Sequence, residues 1–106
     1  MAERTLEIFK EGAPIFTMLQ DENRQQILVM LCKTDHMTVN QITDRLSLSR
    51  PAVSHHLKLM RDAGILSVSQ TGTERYYSAH MGNALDLLKE LTSSLEADIA
   101  SKAGTE

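Results

Sequence analysis

The sequence predicts a mainly α-helical fold with one small β-hairpin, and three observations predict it. Apolar residues recur at spacings of three and four along most of the chain. Asp21, Thr38 and Ser49 each stand just ahead of such a run, where a helix N-cap belongs. Two strand-favouring runs, 65–69 and 74–78, flank the polar tip Gln70-Thr71-Gly72-Thr73. Two short helices joined by a tight turn, then a hairpin, then a long helix, make the outline of a winged helix-turn-helix.

Each element has its own local reasons. Residues 3–12 set Leu6, Ile8 and Phe9 in a charged segment, an amphipathic first helix. Gly12 and Pro14 interrupt the pattern before Ile15, Phe16, Met18 and Leu19, so the amino-terminal region reads as helical in two parts. Asp21 caps the segment Glu22 to Lys33, whose apolar face holds Ile27, Leu28 and Leu31 beside Met30 and Cys32. Thr38 precedes Val39, Ile42 and Leu46, and Gln41 completes a capping box, giving a third helix of about two turns. Ser49 and Pro51 open a fourth helix with Val53, Leu57 and Met60 inward, and Gly64 ends it. From about 81 to 101 no proline intervenes, and Leu85, Leu88, Leu91 or Thr92, Leu95 and Ile99 form the stripe of a long amphipathic helix. Residues 102–106 have no large apolar anchor and are expected to fray.

The chain of 106 residues fits a single domain, with a reading head at about 38–79 and further helices at about 3–20 and 81–101. So short a chain buries a limited share of its surface, and an apolar helical face left over favours association with a second copy. The amino terminus lacks a basic start with an apolar run, and no long apolar span occurs, so a cytoplasmic protein without membrane contact is expected. Cys32 is the one cysteine, which excludes an internal disulfide or a multi-cysteine metal cage; a buried thiol is expected there. The net charge of −3 taken alone is unsuited to nucleic acid, yet from Lys33 to Tyr77 six basic residues stand against four acidic ones. The acidic excess lies in the flanks, which leaves a mildly basic head.

With Val53, Leu57 and Met60 inward, a step of roughly 100° per residue turns Arg50, Ser54, Lys58 and Arg61 outward, with His55 on the same broad side. A helix fits the major groove of double-stranded DNA, and a guanidinium can grip the O6 and N7 edge of guanine, a role that suits Arg50. Ser54 and His55 are weaker candidates for reading bases. Lys58, Ser49, Thr38 and Gln41 suit phosphate, which positions a protein without specifying sequence. In the hairpin, Arg75 lies near Gly72, placed to reach the backbone or minor groove. Tyr76 and Tyr77 alternate in direction, so at least one is expected to pack beneath the hairpin.

The stretch 48–66, Leu-Ser-Arg-Pro-Ala-Val-Ser-His-His-Leu-Lys-Leu-Met-Arg-Asp-Ala-Gly-Ile-Leu, resembles the signature of the ArsR (ArsR/SmtB) repressor family. Upstream, 19–28 is similar to the family's approach to its second helix, although Glu22 stands where a proline is frequent. The resemblance covers about residues 16–79. It implies a homodimer joined by its first and last helices, with Leu6, Phe9, Leu85, Leu88 and Leu95 at the interface, that represses transcription from an inverted-repeat operator.

Many members of the family sense metals. The resemblance places Thr38 and Asn40 where thiolate ligands are expected, and Met81, Asn83, Ser94 and Ala97 at the positions of the last-helix ligands. None can replace those donors, His55 and His56 diverge on their helix, and His36 and His80 are isolated. No cofactor or metal response is therefore expected, and no effector can be named. Glycine-rich phosphate loops and nucleophile motifs are missing from the sequence, so it does not read as an enzyme.

Overall fold

Side-chain caps start three of the helices. The computed structural model describes residues 2–104. In it the side chains of Asp21, Thr38 and Ser49 accept the backbone N–H of Arg24, Gln41 and Ala52 respectively. The chain runs through α1 (Ala2–Met18), α2 (Glu22–Cys32), β1 (Met37–Thr38), α3 (Val39–Thr43) and α4 (Arg50–Asp62). The strands β2 (Leu66–Thr71) and β3 (Glu74–Ala79) and the long α5 (Gly82–Gly104) complete it. Two compact units result, one of Ile15–Met81 and one that combines 2–14 with 82–104.

In the first unit, Ile27 and Leu31 of α2, Ile42 of α3 and Val53, Leu57 and Met60 of α4 are buried with Ile65, Leu66 and Tyr77. Burying each large aliphatic side chain contributes about 1.5–3 kcal/mol. The inward triad of α4 is the one that its spacing predicts. Gly64 takes a left-handed φ of +84°. Its N–H reaches the Arg61 carbonyl at 2.9 Å, and the Ile65 N–H reaches that of Met60 at 3.1 Å. This pair of bonds closes the helix end in a Schellman motif.

The hairpin also gains a third strand. The sheet order is β1-β3-β2, antiparallel throughout, with Tyr77 opposite both Met37 and Val68. Tyr77 is buried, whereas its neighbour Tyr76 stays half exposed with its ring edge-on to His36 at 4.8 Å. The two-residue turn Gly72-Thr73 has φ +62° at the glycine, which fits a type II′ turn.

Several expectations need correction. α1 is continuous through Gly12 and Pro14 instead of two pieces. Pro14 deprives the Lys10 carbonyl of its usual donor, but both residues are exposed and water can take that place. α3 has five residues, fewer than two turns, because the N–H groups of Arg45 and Leu46 tighten onto the Ile42 and Thr43 carbonyls as turn bonds. α5 continues to Gly104, past the point where fraying was expected, and residues 105–106 lie outside the described ones. Cys32 is exposed, not buried. It follows the buried Leu31 by one helical step, which swings it off the inward face.

In the second unit, Thr5 is a buried polar residue. Its hydroxyl donates to Asp98 at 2.6 Å and bonds Ser94, which tie the start of α1 to α5. Arg4 meets Glu7, Glu11 and Glu90, and Glu11 foremost, then Glu90, hold its guanidinium in the charged form. Leu6, Phe9, Leu85, Leu95 and Ile99 remain exposed, and Leu88 is half buried. Among the described residues no helix is long and apolar enough to cross a membrane.

Candidate nucleic-acid interface

Ser49 and Pro51 fix where α4 begins, and that start sets which side chains share a face. Arg50, Ser54, Lys58 and Arg61 fall on one side of α4, and all four line a cleft of about 530 Å³. Asn40 of α3 lines it too, and from the hairpin Thr73 and Arg75 do. Four cations thus face a single carboxylate, Glu74, among the lining residues. Arg61 and Arg75 also share a smaller hollow of about 220 Å³ with Ser69 and Gln70 of β2. The carboxyl-terminal half of α4 and the hairpin therefore present their charges together.

The cations differ in how they are held. Arg50 donates from Nε to the Asn40 Oδ1 at 2.8 Å. Lys58 is 3.2 Å from Asp62 one turn later, and Arg61 is 3.9 Å from the same carboxylate. These pairs are exposed, so each contributes about 1 kcal/mol or less and can open for a stronger anion.

The other residues singled out in the sequence lie outside this cleft. Thr38 and Gln41 bond each other reciprocally: the Gln41 N–H donates to the threonine hydroxyl at 3.2 Å, and the Thr38 N–H to Gln41 Oε1 at 2.9 Å. The Ser49 hydroxyl accepts the Ala52 N–H at 3.3 Å. His55 is exposed beside His56, with ring centroids 6.2 Å apart. Three of the four thus serve as helix caps, each keeping a spare donor: the two hydroxyl hydrogens and the Gln41 Nε2 amide.

Elsewhere in the same unit, Arg24 of α2 joins the end of α1 to α4. Its guanidinium donates to the carbonyls of Met18 and Thr17 and lies 3.4 Å from His56 Nδ1. Asp21, the cap of α2, has its carboxyl held below the ordinary range, chiefly by the donated Arg24 N–H and then by the Arg24 and His56 charges. Asn40 and Glu74 were not singled out from the sequence as part of this surface. Nothing periodic links Asn40 to Arg50, and their contact depends on how two helices pack.

The family described as "Bacterial regulatory protein, arsR family" matches residues 21–68, from the cap of α2 into β2. Arg75 lies beyond that match. An HTH-type transcriptional regulator of Methanocaldococcus jannaschii is 35% identical over 72 residues, 68% of this chain and 81% of that one. The transcriptional repressor SdpR of Bacillus subtilis is 34% identical over 64 residues, 60% of this chain and 70% of SdpR. Among solved structures, an ArsR-like transcriptional regulator from Rhodococcus sp. RHA1 superposes with a TM-score of 0.77 over 94% of both chains at 23% identity, a likeness of fold. These relatives are regulators and not enzymes. Helix pair, hairpin and matched segment together place this chain in the ArsR family of winged helix-turn-helix, DNA-binding transcriptional regulators.

Proposed function

We propose that the chain represses transcription as a homodimer bound to an inverted-repeat operator, without a metal effector. The observation that carries this reading is the cleft in which one face of α4 and Arg75 of the hairpin gather four cations. In this reading α4 enters the major groove, Arg50 meets a guanine, and Ser54 and His55 touch neighbouring bases. Lys58 and the spare donors of Thr38, Gln41 and Ser49 meet phosphates, and Arg75 meets the backbone or minor groove.

The exposed Leu6, Phe9, Leu85 and Leu95, with the half-buried Leu88, support a second copy at the other unit. Two reading heads related by a two-fold axis would then match half-sites about one DNA turn apart. The reading without metal rests on ligand chemistry. Thr38 and Asn40 offer neutral oxygens, poor substitutes for thiolate, and both already hold hydrogen bonds within the protein.

The test is a gel-shift titration on DNA selected by the purified protein. Binding should weaken steeply with salt, and Arg50→Ala should cost about 1–3 kcal/mol of sequence discrimination. Added zinc should leave operator affinity within about twofold. Salt-insensitive binding with no sequence preference, or a head that engages only protein, would sink the reading.

A further inference from the structure

Arg50 combines a long flexible side chain with an awkward position. It occupies the first turn of α4, where the helix's partial positive charge opposes a cation. Left to itself, its guanidinium would sample many rotamers and find any nearby phosphate, a contact that carries no sequence information. Its Nε–H instead donates to the Asn40 side-chain oxygen at 2.8 Å, across ten residues and between two helices. Because Nε only donates, the carboxamide must turn its oxygen toward it. Asn40 is in turn held by the first turn of α3, which the reciprocal Thr38 and Gln41 bonds clamp.

We propose that Asn40 is a positioning residue for DNA recognition, holding Arg50 so that its two terminal nitrogens face a guanine edge as a fork. This rests on the reading of Arg50 as a base contact given above. With Nε engaged, the donors that remain side by side are Nη1 and Nη2, whose spacing suits the O6 and N7 acceptors of guanine. Adenine presents an amino donor in place of O6 and repels one arm of an oriented fork, whereas a freely rotating guanidinium could evade that penalty. The bond exists before DNA arrives, so part of the ordering cost of Arg50 falls on folding and not on binding. Asn40 and Arg50 line the same cleft, which keeps the pair on the surface offered to DNA.

The test uses the full chain and a randomised DNA library, and compares base preferences of wild type, Arg50→Ala, Asn40→Ala, the double variant and Asn40→Asp. Arg50→Ala should flatten the preference at one base pair of each half-site by about fivefold or more. Asn40→Ala should flatten the same base pair by about threefold or more and leave other positions within about twofold, and the double variant should be no flatter than Arg50→Ala. Asn40→Asp retains an acceptor and should keep the preference, while its added negative charge weakens binding to all sequences alike. Asn40 is exposed and outside the core, so thermal unfolding should be unchanged; Asn40→Leu, close in size, repeats the test without an acceptor. A preference that survives both Asn40→Ala and Asn40→Leu, or is lost equally in Asn40→Asp, overturns the assignment. So does an Arg50→Ala variant with unaltered preference. Failure of the wild type to select any sequence is a different result, which removes the DNA-reading proposal beneath it.

Discussion

At the scale of single residues, Arg50 and Cys32 show how much one helical step decides. Arg50 precedes Pro51 and follows the cap Ser49, so its backbone is set by α4 while its side chain is set by α3 through Asn40. Cys32 sits one step past Leu31, and that step moves a thiol from the core to the surface. Access is the first requirement for thiol chemistry, and Cys32 has it. The native protein should therefore react with a disulfide reagent such as DTNB at a rate within about tenfold of the unfolded chain, releasing one equivalent of chromophore. Reaction only after denaturant is added would show that the thiol is covered. Since Cys32 does not line the α4 cleft, the modified protein should retain DNA affinity.

Among the elements, α4 is the most locally determined. Its cap, its first-turn proline, its inward triad and its terminal Gly64 are all written within the segment itself, and each takes the place that the sequence predicts. The cost of altering its end can be stated. Apart from its chain neighbours, no atom lies within 4 Å of where a Gly64 side chain would start, so Gly64→Ala meets no tertiary clash and suffers only the left-handed φ. That should destabilise the protein by about 1–2 kcal/mol, read as a lower urea midpoint with an unchanged m-value. An unchanged midpoint would mean that the helix end relaxes to another conformation. Other elements were less legible because their causes are distant. β1 is two residues long and exists through its pairing with Tyr76 and Tyr77, some forty positions downstream. Pro14 signals a break by its covalent structure, but solvent exposure lets α1 tolerate the lost bond. The Asn40 to Arg50 contact belongs to tertiary packing, beyond the reach of periodicity.

For the whole molecule, the cationic cleft belongs to one unit, and the exposed Leu6, Phe9, Leu85, Leu95 and Ile99 belong to the other. Leu85 and Leu95 are large, apolar and exposed, so a charge at either should leave each chain folded while opposing a second copy. If the proposed homodimer forms through this face, Leu85→Glu with Leu95→Glu shifts it to monomer in sedimentation equilibrium and lowers operator affinity by about tenfold or more through lost bivalence. A variant that keeps the wild-type mass and affinity would move the interface elsewhere.

Thr38 carries a further consequence for the helices and strands around the cleft. It is at once the last residue of β1, paired with Tyr76, and the cap whose oxygen starts α3. Strand and helix thus share a residue with no linker to absorb motion between them. Tilting the hairpin would drag on the first turn of α3, and through it on the Asn40 that holds Arg50. α3 and the hairpin thus turn on one pivot, so in the proposed complex a DNA site that displaces the hairpin would also alter the aim of Arg50.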